Sequence, residues 1–214
     1  MRVETITVGP FQENTFLLVC TGARECVLID PGDEADRLLR AVRQSGATLR
    51  AIWVTHAHAD HVGGIAGVKR EMDVPVYAHP DGRPLYDAAA EQGRAFGIEV
   101  EQPPPPDVEI REGDRLRVGT HDFHVIETPG HAPGHVVIHG HGMAFVGDCL
   151  FAGSIGRTDL PLGNGVELAR SLERISALGD ATAVYPGHGP VTTVGREKVS
   201  NPFLNGTARI VGGG

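Results

Sequence analysis

Thr55-His56-Ala57-His58-Ala59-Asp60-His61 sets three imidazoles and a carboxylate within one short loop, directly behind the apolar run Leu49–Val54. A strand that empties into so many donors is how an α/β-type fold presents chemistry at the carboxyl end of a sheet. Crowding these groups is costly unless something positive holds them. A divalent cation does so best, because neutral imidazole and carboxylate are both zinc ligands. A His-rich tag would sit at a terminus without a strand ahead of it, so the loop is read as part of a built site.

Around that loop the chain reads as short strands followed by helices. Val3–Val8, Asn14–Cys20 and Cys26–Ile29 are strand candidates, the last ending at the turn Asp30-Pro31-Gly32. Leu38, Leu39 and Val42 recur at helical spacing over Asp33–Ser45, with Gly46 as the stop. Helices are expected over Val62–Met72, Asp81–Phe96 and Val166–Leu178, with a strand at Pro75–Ala78. Later strands are expected at Val108–Ile110, Arg115–Val118, Phe123–Glu127, Val136–His139, Met143–Val146 and Ala183–Tyr185. Strands then helix, given twice, imply two packed sheets with helices on the outer faces. The prolines Pro103–Pro106 are read as an extended connector within one domain, since donors come from both sides of them.

Three further donors sit in loops framed by small residues. His131 follows the strand Phe123–Glu127 inside Thr128-Pro129-Gly130-His131-Ala132-Pro133-Gly134-His135. Asp148 follows Met143–Val146, and His188 lies in Pro186-Gly187-His188-Gly189-Pro190. Glycine and proline break each strand sharply, and glycine lets backbone approach a bound ion. Every donor group thus lies just past a strand end, where all can meet at one sheet edge.

This set, with Asp30-Pro31-Gly32 upstream, resembles the metallo-β-lactamase superfamily. Within it the chain is most similar to the short bacterial hydroxyacylglutathione hydrolases, the compact glyoxalase II type. The closer marks are Phe11-Gln12-Glu13-Asn14, the stretch Leu150–Pro161, and Asn201-Pro202-Phe203-Leu204. The resemblance implies an α/β fold, the four-layer αββα sandwich, with one hydrolase domain over 1–205 and a tail over 206–214. It implies two divalent ions, zinc first, with iron or manganese alternatives. One ion would take His56, His58 and His131; the other Asp60, His61 and His188; Asp148 would bridge them. A hydroxide between the ions would attack a hydroxyacyl thioester such as S-lactoylglutathione, with Asp60 orienting it. Asp30 and His135 would back the ligands.

The residues after Pro190 are too few for the helical domain by which longer relatives hold glutathione. Their lysine and tyrosine near the bridging aspartate stand here as Arg157 and Asp159. Arg157 could bind a substrate carboxylate, Asp159 could fix Arg157, and Phe151 and Leu160 are expected to line the cleft. Gly156–Asp159 is shared with the persulfide dioxygenases of the same fold, whose single iron would sit on His56, His131 and Asp148. A β-lactamase, a nuclease and a non-catalytic metal binder are weaker alternatives.

Composition narrows the partners. A net charge of −8 over 214 residues argues against nucleic acid and anionic membranes, leaving a small-molecule partner. There is no transmembrane run and no secretory signal at Met1–Thr5, and Cys20, Cys26 and Cys149 make no disulfide framework, so the cytoplasm is expected. His79, His121, His124, His139 and His141 are read as surface or hairpin residues, Cys149 as a small buried side chain, and the scattered aromatics as core.

Overall fold

The computed structural model describes residues 1–210. The first half of the chain builds one sheet from β1 (Arg2–Val8), β2 (Glu13–Cys20), β3 (Glu25–Ile29), β4 (Thr48–Trp53), β5 (Val76–Ala78) and β6 (Val108–Glu109), in that spatial order. β1 to β3 are antiparallel; β3 to β6 run parallel. The second half builds the other sheet, in the order β14 (Thr192–Thr193), β13 (Ala183–Pro186), β10 (Met143–Gly147), β9 (Val136–Gly140), β8 (His121–Glu127) and β7 (Arg115–Val118). A ribbon of β11 (Leu150–Phe151) and β12 (Ser154–Ile155) follows Asp148.

Side-chain alternation assembles the layers, because successive residues of a strand face opposite ways. Phe16, Leu18, Val27, Ile29 and Trp53 meet Phe123, Val125, Ile138 and Phe145 between the sheets. On the first sheet's outer face Leu17, Leu28 and Ile52 pack against α1 (Ala35–Ser45) and α3 (Ile65–Glu71). On the second's, Val137, Ala144 and Val146 pack against α6 (Gly165–Ser176) and α7 (Val194–Ser200). The result is the expected αββα sandwich. Cys20 faces the inter-sheet core and Cys26 the outer one, so the two thiols do not face each other.

Two helices differ from expectation. Val62–Met72 is broken into α2 (Ala59–Val62) and α3 at Gly63-Gly64. The break lets the Asp30-Pro31-Gly32 turn press on the chain: Gly64 N–H donates to Pro31 O at 2.8 Å, and a side chain at Gly63 would strike Gly32 O. Asp81–Phe96 becomes a 3-10 turn at Pro80–Gly82, then α4 (Arg83–Asp87) and α5 (Ala89–Phe96). Here the Gln102 amide inserts into the helical ladder, donating to Tyr86 O at 3.0 Å and accepting from Ala90 N at 3.2 Å. The strands β11, β12 and β14 and helix α7 were not expected from periodicity, those strands being two residues each.

No helix among the described residues is long and apolar enough to cross a membrane. The tail expected over 206–214 lies partly outside the described residues. Within it Ala208 N–H donates to Pro202 O at 2.8 Å, and Ile210 packs on the α6 core.

Candidate metal centre

β4 ends at Trp53, and the chain leaves the sheet into Thr55–His61. From the other sheet, β8, β10 and β13 end just before His131, Asp148 and His188. The two edges are stitched together beneath these loops. Val136 N–H donates to Thr55 O at 2.8 Å and Asn14 N–H to Gly187 O at 2.7 Å, while within the second sheet Gly187 N–H donates to Gly147 O at 2.9 Å. All seven expected donors are brought to this one edge.

They converge as two sets. In the first, His56 Nε2 lies 3.1 Å and His131 Nε2 2.9 Å from His58 Nδ1. In the second, Asp60, His61 and His188 bring one ligand atom each within 4.8 Å of one another. Asp148 stands between them, Oδ2 at 3.6 Å from both His131 Nε2 and His188 Nε2, and Oδ1 at 3.4 Å from His61 Nε2.

Three of the five imidazoles are oriented from behind by an acceptor. His61 donates Nδ1–H to Asp30 Oδ2 at 3.1 Å, His131 to Arg157 O at 2.8 Å, and His188 to Phe11 O at 3.1 Å. Each therefore turns its Nε2 inward, the nitrogen a metal would take in place of a proton. Asp30, expected behind the ligands, is buried and also accepts from Thr55 N and Oγ1 at 2.7 and 2.5 Å. It holds a φ of 49°, a strained conformation that aspartate tolerates better than most residues. His135 does not join either set. It accepts from Asp148 N at 3.2 Å, and its ring stacks on His56 at 4.9 Å.

The electrostatics fit cations. Burial holds His56 and His131 below the usual imidazole range and takes His58 down to about 3, so the first set offers neutral lone pairs. In the second set burial lowers His61, but Asp148 and Asp60 outweigh it and push the imidazole well up. Burial likewise raises Asp148, yet His61 and its neighbours hold that carboxyl below the carboxylate range. Positive charge is thus favoured between these residues. Moreover, His61 Nε2 and Asp148 Oδ1 are buried without a hydrogen-bond partner. Such orphaned groups are costly, and a shared cation satisfies both. Gly187 closes this corner: a Cβ there would overlap Asp148 Oδ1.

Over the centre opens a cleft of about 290 Å³. Arg157 and Leu160 line it, as do Phe11, Gln92 and Phe96. Phe151 sets its ring against His188, centroids 6.1 Å apart. Arg157 Nε and Nη2 donate to Asp159 Oδ1 and Oδ2 at 2.6 and 2.7 Å.

Residues 8–188 match the family model of the metallo-beta-lactamase superfamily. The chain belongs to that superfamily. Hydroxyacylglutathione hydrolase GloC of Haemophilus influenzae is 36% identical over 210 residues, spanning 96% of this chain and 99% of that protein. The crystal structure of TTHA1623 in a di-iron-bound form superposes with a TM-score of 0.88 at 44% identity, covering 94% of this chain and 100% of that one. That of the BLEG-1 B3 metallo-beta-lactamase gives 0.88 at 37%, covering 95% and 99%.

This member of the superfamily is a metallo-hydrolase whose His and Asp clusters suit divalent metal. Sequence reasoning missed several of its supports. His79, expected at the surface, is buried and pairs with Glu127 Oε1 at 2.9 Å, because it caps the 3-10 turn that carries the chain into α4. Glu13 is buried beside His61 Nδ1 at 3.8 Å, its carboxyl pushed well up by burial. Asn14 Nδ2 donates to Pro186 O and Gly189 O at 3.1 and 2.8 Å, clasping the His188 loop. Phe11 and Phe96, expected in the core with the other aromatics, are 44% and 51% exposed. The Phe11-Gln12-Glu13-Asn14 motif was the available signal for Phe11, Glu13 and Asn14. Cys149 is buried, and burial pushes its thiol up to about 12, which leaves it inert.

Proposed function

We propose that this chain hydrolyses hydroxyacyl thioesters, with S-lactoylglutathione the first substrate to assay. The observation that carries the reading is two three-ligand sets meeting across one carboxylate, under an open cleft. His56, His58 and His131 would hold one divalent ion and Asp60, His61 and His188 the other, with Asp148 shared. Such a pair acidifies water to a nucleophile at neutral pH and polarises an acyl carbonyl. The chain's own part is orientation. Asp60 Oδ2 lies 3.3 Å from His188 Nε2, at the cleft wall, where it can accept a proton from the attacking water. Asp30, Phe11 O and Arg157 O keep the imidazoles in their inward tautomer. Water adds to the acyl carbon, the C–S bond breaks, and the products are a hydroxy acid and a free thiol.

The near-complete coverage against GloC supports the thioester bond as the target, and the di-iron form of TTHA1623 supports a two-ion centre. The test is thiol release from S-lactoylglutathione by metal-replete protein, with a chromogenic cephalosporin in parallel. Hydrolysis of the thioester above the free-metal rate is expected. Turnover of the cephalosporin alone, or oxygen consumption with a persulfide, would sink the reading.

A further inference from the structure

Set aside the ligands, and the cleft wall that remains is Phe11, Ala59, Gln92, Phe96, Arg157 and Leu160, four apolar side chains with one amide and one guanidinium. Phe11, in the β1–β2 turn, and Phe96, at the end of α5, meet edge to face with centroids 6.3 Å apart and planes at 89°. Leu160 lines the same cleft. The two phenyl rings are about half exposed and in contact, though their backbones come from opposite ends of the first half of the chain. Exposed aromatics in mutual contact at a cleft mouth offer a surface for an apolar group, since burying them is favourable. Offset edge-to-face geometry also leaves a ring face open for another ring.

Charge recognition is correspondingly thin. Arg157 is the one Lys or Arg among the described residues lining the cleft, and both oxygens of Asp159 engage its Nε and Nη2. A carboxylate is best held by a guanidinium fork, and the Nε–Nη2 edge of this one faces Asp159. Glutathione carries two carboxylates and an ammonium on its thiol arm, so binding it would strip water from three charges against the single guanidinium that lines this wall.

Resting on the thioesterase reading, we infer that Phe11, Phe96 and Leu160 form a subsite for an apolar, uncharged thiol arm. The substrate class is then hydroxyacyl thioesters of apolar thiols, with glutathione the poorer leaving group to bind. The reaction stays a balanced hydrolysis: one water consumed, one carboxylic acid and one thiol released.

The test compares two thioesters with the same acyl group on metal-loaded protein, S-lactoylglutathione and the S-lactoyl thioester of benzyl mercaptan. The benzyl thioester is expected to show a kcat/KM higher by about tenfold or more, with the difference in KM. Phe96→Ala is expected to collapse that ratio toward unity. Equilibrium binding of the matching inert thioethers repeats the comparison without turnover. If neither thioester is cleaved but the benzyl thioether binds tighter and Phe96→Ala abolishes the preference, the thioesterase reading fails and the subsite stands. Equal or tighter binding of the glutathione thioether, or a ratio untouched by Phe96→Ala, overturns the subsite.

Discussion

Asp30 shows how much a single residue can hold at this site. One carboxylate accepts from the Thr55 backbone, the Thr55 hydroxyl and His61 Nδ1, so the donor loop and one imidazole share an anchor. Asp30→Asn keeps the left-handed backbone that asparagine also tolerates, yet sets an amide nitrogen or a neutral oxygen against His61. Metal affinity is expected to fall about 10–100-fold, read by chelator competition, with little change in the unfolding midpoint of the metal-free protein. His58 gives the pH dependence. Burial takes its folded pKa down to about 3, against a value near 6.5 unfolded. The unfolded chain therefore binds the extra proton between those values. Stability present above pH 6.5 is lost as the pH falls toward 3, by up to about 1.4 kcal/mol per pH unit. His56 and His131, also lowered by burial, add slopes of the same sign, so in chelated protein the denaturation free energy of His58→Asn is expected to lose only the His58 share of that slope.

At the scale of elements, the turn from β1 to β2 decides whether the second set forms. Asn14 clasps the carbonyls of Pro186 and Gly189, and Phe11 O receives His188 Nδ1–H. Asn14→Ala leaves the buried Pro186 carbonyl unpaired, at about 1–3 kcal/mol, while the exposed Gly189 carbonyl can turn to water. Urea denaturation should show that loss, and metal analysis at limiting ion should show the second ion leaving first. Retention of both ions at wild-type affinity would contradict this. The elements themselves were largely legible, because the short apolar runs of β2, β3, β9 and β10 and the Leu38–Val42 spacing are strong signals. The helix breaks were not. Gly63-Gly64 and Ala88 interrupt helices because of Pro31 O and Gln102, partners remote in sequence that no local window contains. The two-residue strands β11, β12 and β14 are too short to show a period at all.

Across the whole molecule, the site edge was legible because metal chemistry demands particular residue types just past strand ends. The expected donors His56, His58, Asp60, His61, His131, Asp148 and His188 all stand at one edge. The cleft wall was opaque for the opposite reason. A phenylalanine carries no mark that separates core from rim, so Phe11 and Phe96 read like Phe16 and Phe123 until their exposure is known. His79 likewise carries no sign that it bridges to Glu127 across the sheets. Gly187→Ala tests how tightly the edge is closed: its Cβ would overlap Asp148 Oδ1 and His61, so the loss of metal binding should far exceed the loss of fold. Circular dichroism beside metal titration separates the two.

The central claim is that two ions share Asp148 between two complete ligand sets. Elemental analysis of purified, metal-reconstituted protein tests it most directly. Two divalent ions per chain are predicted for the wild type, with loss of tight binding at both sites in Asp148→Ala. One ion per chain at saturation, unchanged by Asp60→Ala or His188→Ala, would contradict it.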